Sequence, residues 1–180
     1  MFDLDAFVAD CVAASGESEP RQAVKEVLAR AVAAGPEVER QLPATRAGIE
    51  RIHVTDELTI IKVVWAPGMD LPPHDHRMWA AIGIYGGQED NSFFRRSPEG
   101  VVPSGGKQLV EGDVVVLGDD TIHAVHNPRR TYTGAIHIYG GNFFTKPRSE
   151  FDPETLEEHP HDIARTLARF EAANAAAESA

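Results

Sequence analysis

The sequence predicts a single, mainly β domain, a closed or double-sheet architecture with helices packed outside it at both ends. Three observations predict it. All 15 glycines except Gly16, Gly35 and Gly48 lie between Gly68 and Gly141. The segments between those glycines are short, evenly spaced and rich in β-branched or aromatic residues, with no helical stretch among them. Helical periodicity is confined to the two ends, and 180 residues suit one domain that buries about 70% of the surface of its unfolded chain.

Taken in order, residues 3–14 place Leu4, Phe7, Val8, Cys11 and Val12 on one helical stripe, with Asp3 as N-cap and Gly16 as stop. Glu19-Pro20 opens a second helix whose stripe is Val24, Val27, Leu28, Ala31 and Val32, and Gly35-Pro36 is expected to end it. Strands are expected at 48–54, 58–66, 78–85, 92–96, 106–110, 113–117, 123–127 and 132–139. Asp152-Pro153 is expected to cap a last helical region in which Ile163, Leu167 and Phe170 face the barrel, with a frayed tail over 172–180. The domain thus divides into N-terminal helices (1–47), a β-barrel (48–148) and a C-terminal helical tail (149–180).

Charge narrows the function classes. The 17 Lys and Arg against 28 Asp and Glu leave a net charge of −11, and no basic run exceeds Arg95-Arg96 or Arg129-Arg130. Such a chain repels phosphate backbones and anionic lipid surfaces, so neither nucleic acid nor membrane is an expected partner. Cys11 is the only cysteine. It offers no intramolecular disulfide and no thiolate cluster, which points to a reducing cytoplasm. The first ten residues carry three aspartates in place of a basic leader region, and no apolar run reaches 18 residues. Nothing in the sequence indicates an oligomeric state.

The chemistry concentrates in Gly68-Met69-Asp70-Leu71-Pro72-Pro73-His74-Asp75-His76 and, further on, Gly112 to Asn127. In an extended chain residues two apart share a face, so His74 and His76 point together while Asp75 points away. Two imidazoles on one inward face are half a metal site. The same parity sets His123, Val125 and Asn127 opposite to Ala124 and His126, making His123 the third ligand and His126 an exposed residue. His53, His159 and His161 lack such support and are read as ordinary polar residues.

These segments resemble the two motifs of the cupin superfamily, with Gly68, His74, His76, Gly87, Gly112, His123 and Asn127 in register. Ala80 or Ala81 stands where most cupins supply a glutamate ligand. The resemblance covers roughly residues 48–153 and implies a double-stranded β-helix, or jelly-roll, barrel. A three-histidine cupin is similar to the thiol dioxygenases of the cysteine dioxygenase and 3-mercaptopropionate dioxygenase type, and Ala135-Ile136-His137-Ile138-Tyr139 looks like their Ser-x-His-x-Tyr strand, with Ala135 replacing the serine. The resemblance implies one Fe(II) per chain and His137 and Tyr139 as catalytic residues, with a small carboxylated thiol and dioxygen as substrates and a sulfinate as product. With alanines at 80 and 81, the tyrosine–cysteine crosslink of mammalian cysteine dioxygenases is not possible here.

The residues support this chemistry independently. Three neutral imidazoles leave the charge of a divalent ion uncompensated and leave positions open, which favours an incoming thiolate. His137 and Tyr139 project to one face about 6.6 Å apart along a strand, within reach of an imidazole–phenol hydrogen bond. A carboxylate calls for a planar guanidinium. Arg148, nine residues after Tyr139, is similarly placed to the arginine of bacterial 3-mercaptopropionate dioxygenases, and Arg51 lies on the strand from which cysteine dioxygenases recruit theirs. Trp79 serves either as pocket wall or as core. Two other readings stay open: a non-catalytic cupin that senses or stores a metal or ligand, and a three-histidine oxygenase acting on a non-thiol substrate.

Overall fold

The computed structural model describes residues 1–179. Three helices, α1 (Leu4–Ser15), α2 (Pro20–Val32) and α3 (Gly35–Gln41), precede the strands β1 (Gly48–Val54), β2 (Thr59–Trp65), β3 (Asp70–Asp75), β4 (Ala80–Gly86), β5 (Gln88–Ser97), β6 (Gly100–Val110), β7 (Val114–Leu117), β8 (Ile122–His126), β9 (Thr133–Tyr139), β10 (Ser149–Phe151) and β11 (Glu158–Pro160); α4 (Ile163–Glu178) follows. The strands form two sheets, ordered β1-β2-β9-β4-β7 and β11-β10-β3-β8-β5-β6. Every pairing is antiparallel. This is a double-stranded β-helix, or jelly-roll, barrel with helices outside it.

Period-two alternation decides what each face covers. On β4, Ala80, Ile82 and Ile84 enter the core between the sheets with Ile61, Val63 and Trp65. Ala81 and Tyr85 turn outward and pack with Phe7, Cys11, Val24 and Leu28 of α1 and α2. Both faces of β4 are therefore buried, and its sequence reads as a continuous apolar run. Two glycines have steric reasons. Gly87 has φ +87°, and a Cβ there would sit 2.4 Å from Thr133 Oγ1. A Cβ on Gly140 would lie 2.0 Å from Trp79 Nε1, so Trp79 seats on bare backbone. Trp79 belongs to the outer apolar cluster and is core, not pocket wall.

Asp3 caps α1 by accepting from the Ala6 N–H at 2.8 Å, and Pro20 opens α2. Elsewhere the elements differ from the sequence expectation. Gly35-Pro36 opens α3 instead of merely ending α2, because proline in a first helical turn lacks only an N–H that has no partner there. On α1, Val12 is exposed and Ala14 is buried. Residues 149–160 form the β10–β11 hairpin, not helix: Asp152 caps its turn, accepting from the Glu154 and Thr155 N–H groups, and Asp162 caps α4. Leu167 is exposed, and Thr166, Phe170 and Asn174 form the buried face of α4. The expected fraying does not occur as far as Glu178, since the Asn174 side chain exchanges two hydrogen bonds with the Ala47 backbone, at 2.9 and 3.0 Å. Ala180 lies outside the described residues.

The strand that carries His74 and leads into His76 was the least legible. β3 contains Pro72 and Pro73, and its pairing with β8 shifts register between Leu71 and His74, so neither proline has to donate to the ladder.

Candidate metal centre

His74 stands opposite His123 in the β3–β8 register, and His76 follows two residues later. All three are buried. Their ring centroids are 4.6 to 5.1 Å apart, and one donor atom from each lies within 4.8 Å of the others. Among the described residues this is the one group of that kind. His76 Nε2 and His123 Nε2 are 3.0 Å apart.

The backs of the rings fix the tautomers. His74 Nδ1 donates to the Pro72 carbonyl at 2.9 Å. His123 Nδ1 meets Asn91 Oδ1 at 2.7 Å, so each ring keeps its Nε2 lone pair for the site. His76 Nδ1 is buried without a partner. Burial brings the His74 pKa down to about 4. Burial, reinforced by the neighbouring imidazoles, holds His76 and His123 well below the ordinary value, leaving all three neutral.

The donor set fits a divalent ion. Two imidazole nitrogens each roughly 2.1 Å from one ion and at right angles are about 3.0 Å apart, whereas tetrahedral angles would set them near 3.4 Å. At 3.0 Å apart, the His76 and His123 nitrogens are close enough to reach one ion together. Such nitrogen sites suit iron, nickel, copper and zinc. Among the described residues no carboxylate joins the donor cluster.

His137 and Tyr139 are adjacent inward positions on β9. His137 Nδ1 lies 3.0 Å from the Tyr139 hydroxyl, and the Tyr139 ring is 4.9 Å from that of His76. Burial pushes the phenol pKa up, so its proton stays on at neutral pH. Arg148, just before β10, is buried; its guanidinium lies over the Phe143 ring, and its Nε has no partner. Burial lowers its pKa, an effect opposed by Tyr139 and Asp75.

These groups open into one cavity of about 30 Å³, lined by the three histidines, His137, Tyr139 and Arg148, with Phe143, Phe170 and Trp65 among its apolar walls. Any ligand held there is small. Arg51 does not reach it: the side chain is exposed and its guanidinium stacks 3.9 Å over the Phe144 ring, so the structure gives Arg51 no place among the lining residues. His126 is on the surface, paired with Asp70 at 2.8 Å. His159 is exposed and His53 half-buried.

Three functional neighbours escaped the sequence reading. His161 lines the cavity, tied down by its own N–H to the Arg148 carbonyl and by its ring to Thr166 Oγ1 at 3.1 Å; burial and the nearby Arg148 bring its pKa down to about 3. No local pattern separates it from His159. Glu89 and Asn91, buried behind the site on β5, are two residues apart, and parity would have given them a common inward face.

No family model matches the sequence. Solved structures with similar folds include a protein from Bacillus halodurans, 15% identical over 72% of this chain and 90% of that one, with a TM-score of 0.52. A double-stranded β-helix protein of the RmlC-like cupin family from Methanocaldococcus jannaschii is 14% identical over 57% of this chain and 86% of that one, with a TM-score of 0.47. Oxalate oxidase in complex with the substrate analogue glycolate is 15% identical, with a TM-score of 0.45; the match covers 52% of this chain and half of that one. These are likenesses of fold. On this fold, His74, His76 and His123 form a group that could hold a metal ion.

Proposed function

We propose that the chain is an Fe(II)-dependent thiol dioxygenase that converts a small carboxylated thiol and dioxygen into a sulfinic acid, R–SH + O2 → R–SO2H. Both oxygen atoms go to sulfur, whose four-electron oxidation balances the reduction of dioxygen, so no external reductant is needed. The observation that carries this reading is the convergence of three neutral imidazoles, a tyrosine–histidine pair and a buried guanidinium on one small cavity. Bound through His74, His76 and His123, the ion would supply the redox-active centre that dioxygen chemistry requires.

The chain's own residues do the rest. Arg148 would hold the substrate carboxylate with the part of its guanidinium that Phe143 leaves free, setting the thiol end toward the histidines. The apolar walls from Trp65, Phe143 and Phe170 exclude water. Tyr139, protonated and anchored on His137, would present a hydrogen-bonding hydroxyl beside the reacting atoms.

The test is anaerobic loading with Fe(II), followed by measurement of oxygen uptake and sulfinate formation with cysteine, 3-mercaptopropionate and an amine thiol. Stoichiometric uptake and sulfinate with a carboxylated thiol are expected. Tight metal binding without oxygen uptake would instead mark a binding module, and uptake with no thiol would mark a different substrate.

A further inference from the structure

We infer that Glu89 is the positioning residue of the site, one buried carboxylate that fixes His123 toward the metal through Asn91 and orients Tyr139 through His137. The inference rests on the metal-site reading above and adds to it a residue that lies outside the ligand set.

Glu89 is fully buried, with its acidic group surrounded by donors. Oε1 accepts from Asn91 Nδ2 at 2.9 Å, and Oε2 accepts from Trp65 Nε1 at 2.7 Å. Oε2 also faces His137 Nε2 across 3.5 Å, longer than a formed hydrogen bond, and that nitrogen has no hydrogen-bond partner among the described residues. Burial alone raises the carboxyl pKa, but His137, Asn91 and Trp65 together bring it below the ordinary value, so the group is an anion.

An ionised carboxylate can only accept hydrogen bonds, and this one fact propagates along two arms. On the first, Asn91 must turn its amide nitrogen to Glu89 and its oxygen to His123. His123 must then carry its proton on Nδ1, which frees Nε2 as the metal donor. On the second, the carboxylate 3.5 Å from His137 Nε2 favours a proton on that nitrogen, which leaves Nδ1 to accept from the Tyr139 hydroxyl 3.0 Å away. The resembling family has a serine on this strand where Ala135 stands; here the group behind the imidazole comes from β5, in the opposite sheet.

Replacing Glu89 by glutamine keeps the shape but permits the amides to flip. Glu89→Gln is expected to weaken Co(II) and Fe(II) binding about 10–100-fold by chelator competition, the range for lost partners of metal-bound histidines. Asn91→Ala, which cuts only the first arm, should give a similar loss, and the double variant little more, because the two act in one chain. Tyr139→Phe should leave affinity unchanged. Nitrogen-15 NMR of the wild-type histidines should find His123 protonated on Nδ1 and His137 on Nε2. The inference is overturned by His137 protonated on Nδ1 in the wild type, by unchanged metal affinity in Glu89→Gln, or by additive losses in the double variant. The metal and tautomer readings need no thiol, so failure of thiol oxidation leaves them standing. A wild type that binds no metal refutes the proposed function, and the tautomers still decide the arrangement.

Discussion

The Arg148 guanidinium carbon lies 4.0 Å from the centroid of the Phe143 ring, and its Nη1 donates to the carbonyl of that same residue. One residue thus pins the cation from the side and from above, leaving Nε buried and unpartnered within the cavity wall.

A pre-set guanidinium grips a carboxylate with two charge-assisted hydrogen bonds of about 1.5–3 kcal/mol each. Arg148→Ala should raise KM for a carboxylated thiol at least about a hundredfold and barely affect an amine thiol, with lysine recovering only part of the loss. Steady-state kinetics on the two substrates checks this. An equal loss on both would remove Arg148 from carboxylate recognition.

Metal retention should separate histidines that differ only in the face they occupy. His123→Ala removes one of three donors and should abolish stoichiometric iron after desalting, whereas His126→Ala, on the opposite face of β8 and paired with Asp70, should keep it. Elemental analysis of both variants decides the matter.

Tyr139→Phe deletes only the hydroxyl that meets His137. A role in orienting substrate or passing a proton predicts turnover about 10²–10⁴-fold slower at unchanged iron content. Undiminished kcat would make the ring a wall and nothing more.

Acid stability should report on the hairpin that carries Arg148 to the site. Glu158 on β11 meets Arg96 at 2.6 Å, Ser149 Oγ at 2.5 Å and Arg77 at 3.1 Å, and these partners, Arg96 foremost, hold its pKa at about 2. A carboxyl depressed in the folded state contributes its full stabilisation above the unfolded value of about 4.3 and loses it as pH falls toward 2. The Tm gap between wild type and Glu158→Gln should therefore be widest near pH 6, narrow as pH falls below about 4, and close only below about pH 2, where the folded carboxyl is itself protonated. A gap that persists at the lower pH would assign the effect to packing.

Phe170 stacks on Trp65 with ring centroids 5.4 Å apart, closing the cavity from α4. Phe170→Ala should cost about 3–5 kcal/mol in denaturant unfolding, the range for a buried aromatic. It should also admit bulkier thiols. Loss of stability without a change in substrate range would show that α4 only braces the barrel.

Much of this architecture was written in local periodicity. The α2 stripe emerges buried where the 3.6-residue period sets it, and the His74/His76 and His137/Tyr139 pairs share faces because a strand repeats every two residues. The misreadings arose where periodicity is blind. Leu167 fits a helical stripe as well as Thr166 does, and only the position of the barrel selects which face is buried. Residues 149–160 have no strand signature of their own; β10 exists because β3 and β11 lie on either side to pair with it.

The sequence by itself determined the β-barrel with outer helices, the three histidines that face one another and the tyrosine beside them, because each depends on spacing along a single strand or between registered neighbours. Only the tertiary structure decided which arginine reaches the cavity and which stacks on the surface, that His161 lines the pocket, and that Glu89 lies behind both His123 and Tyr139. Those relationships join elements from opposite sheets or distant loops, and the closing of the barrel, not any local rule, sets their distances.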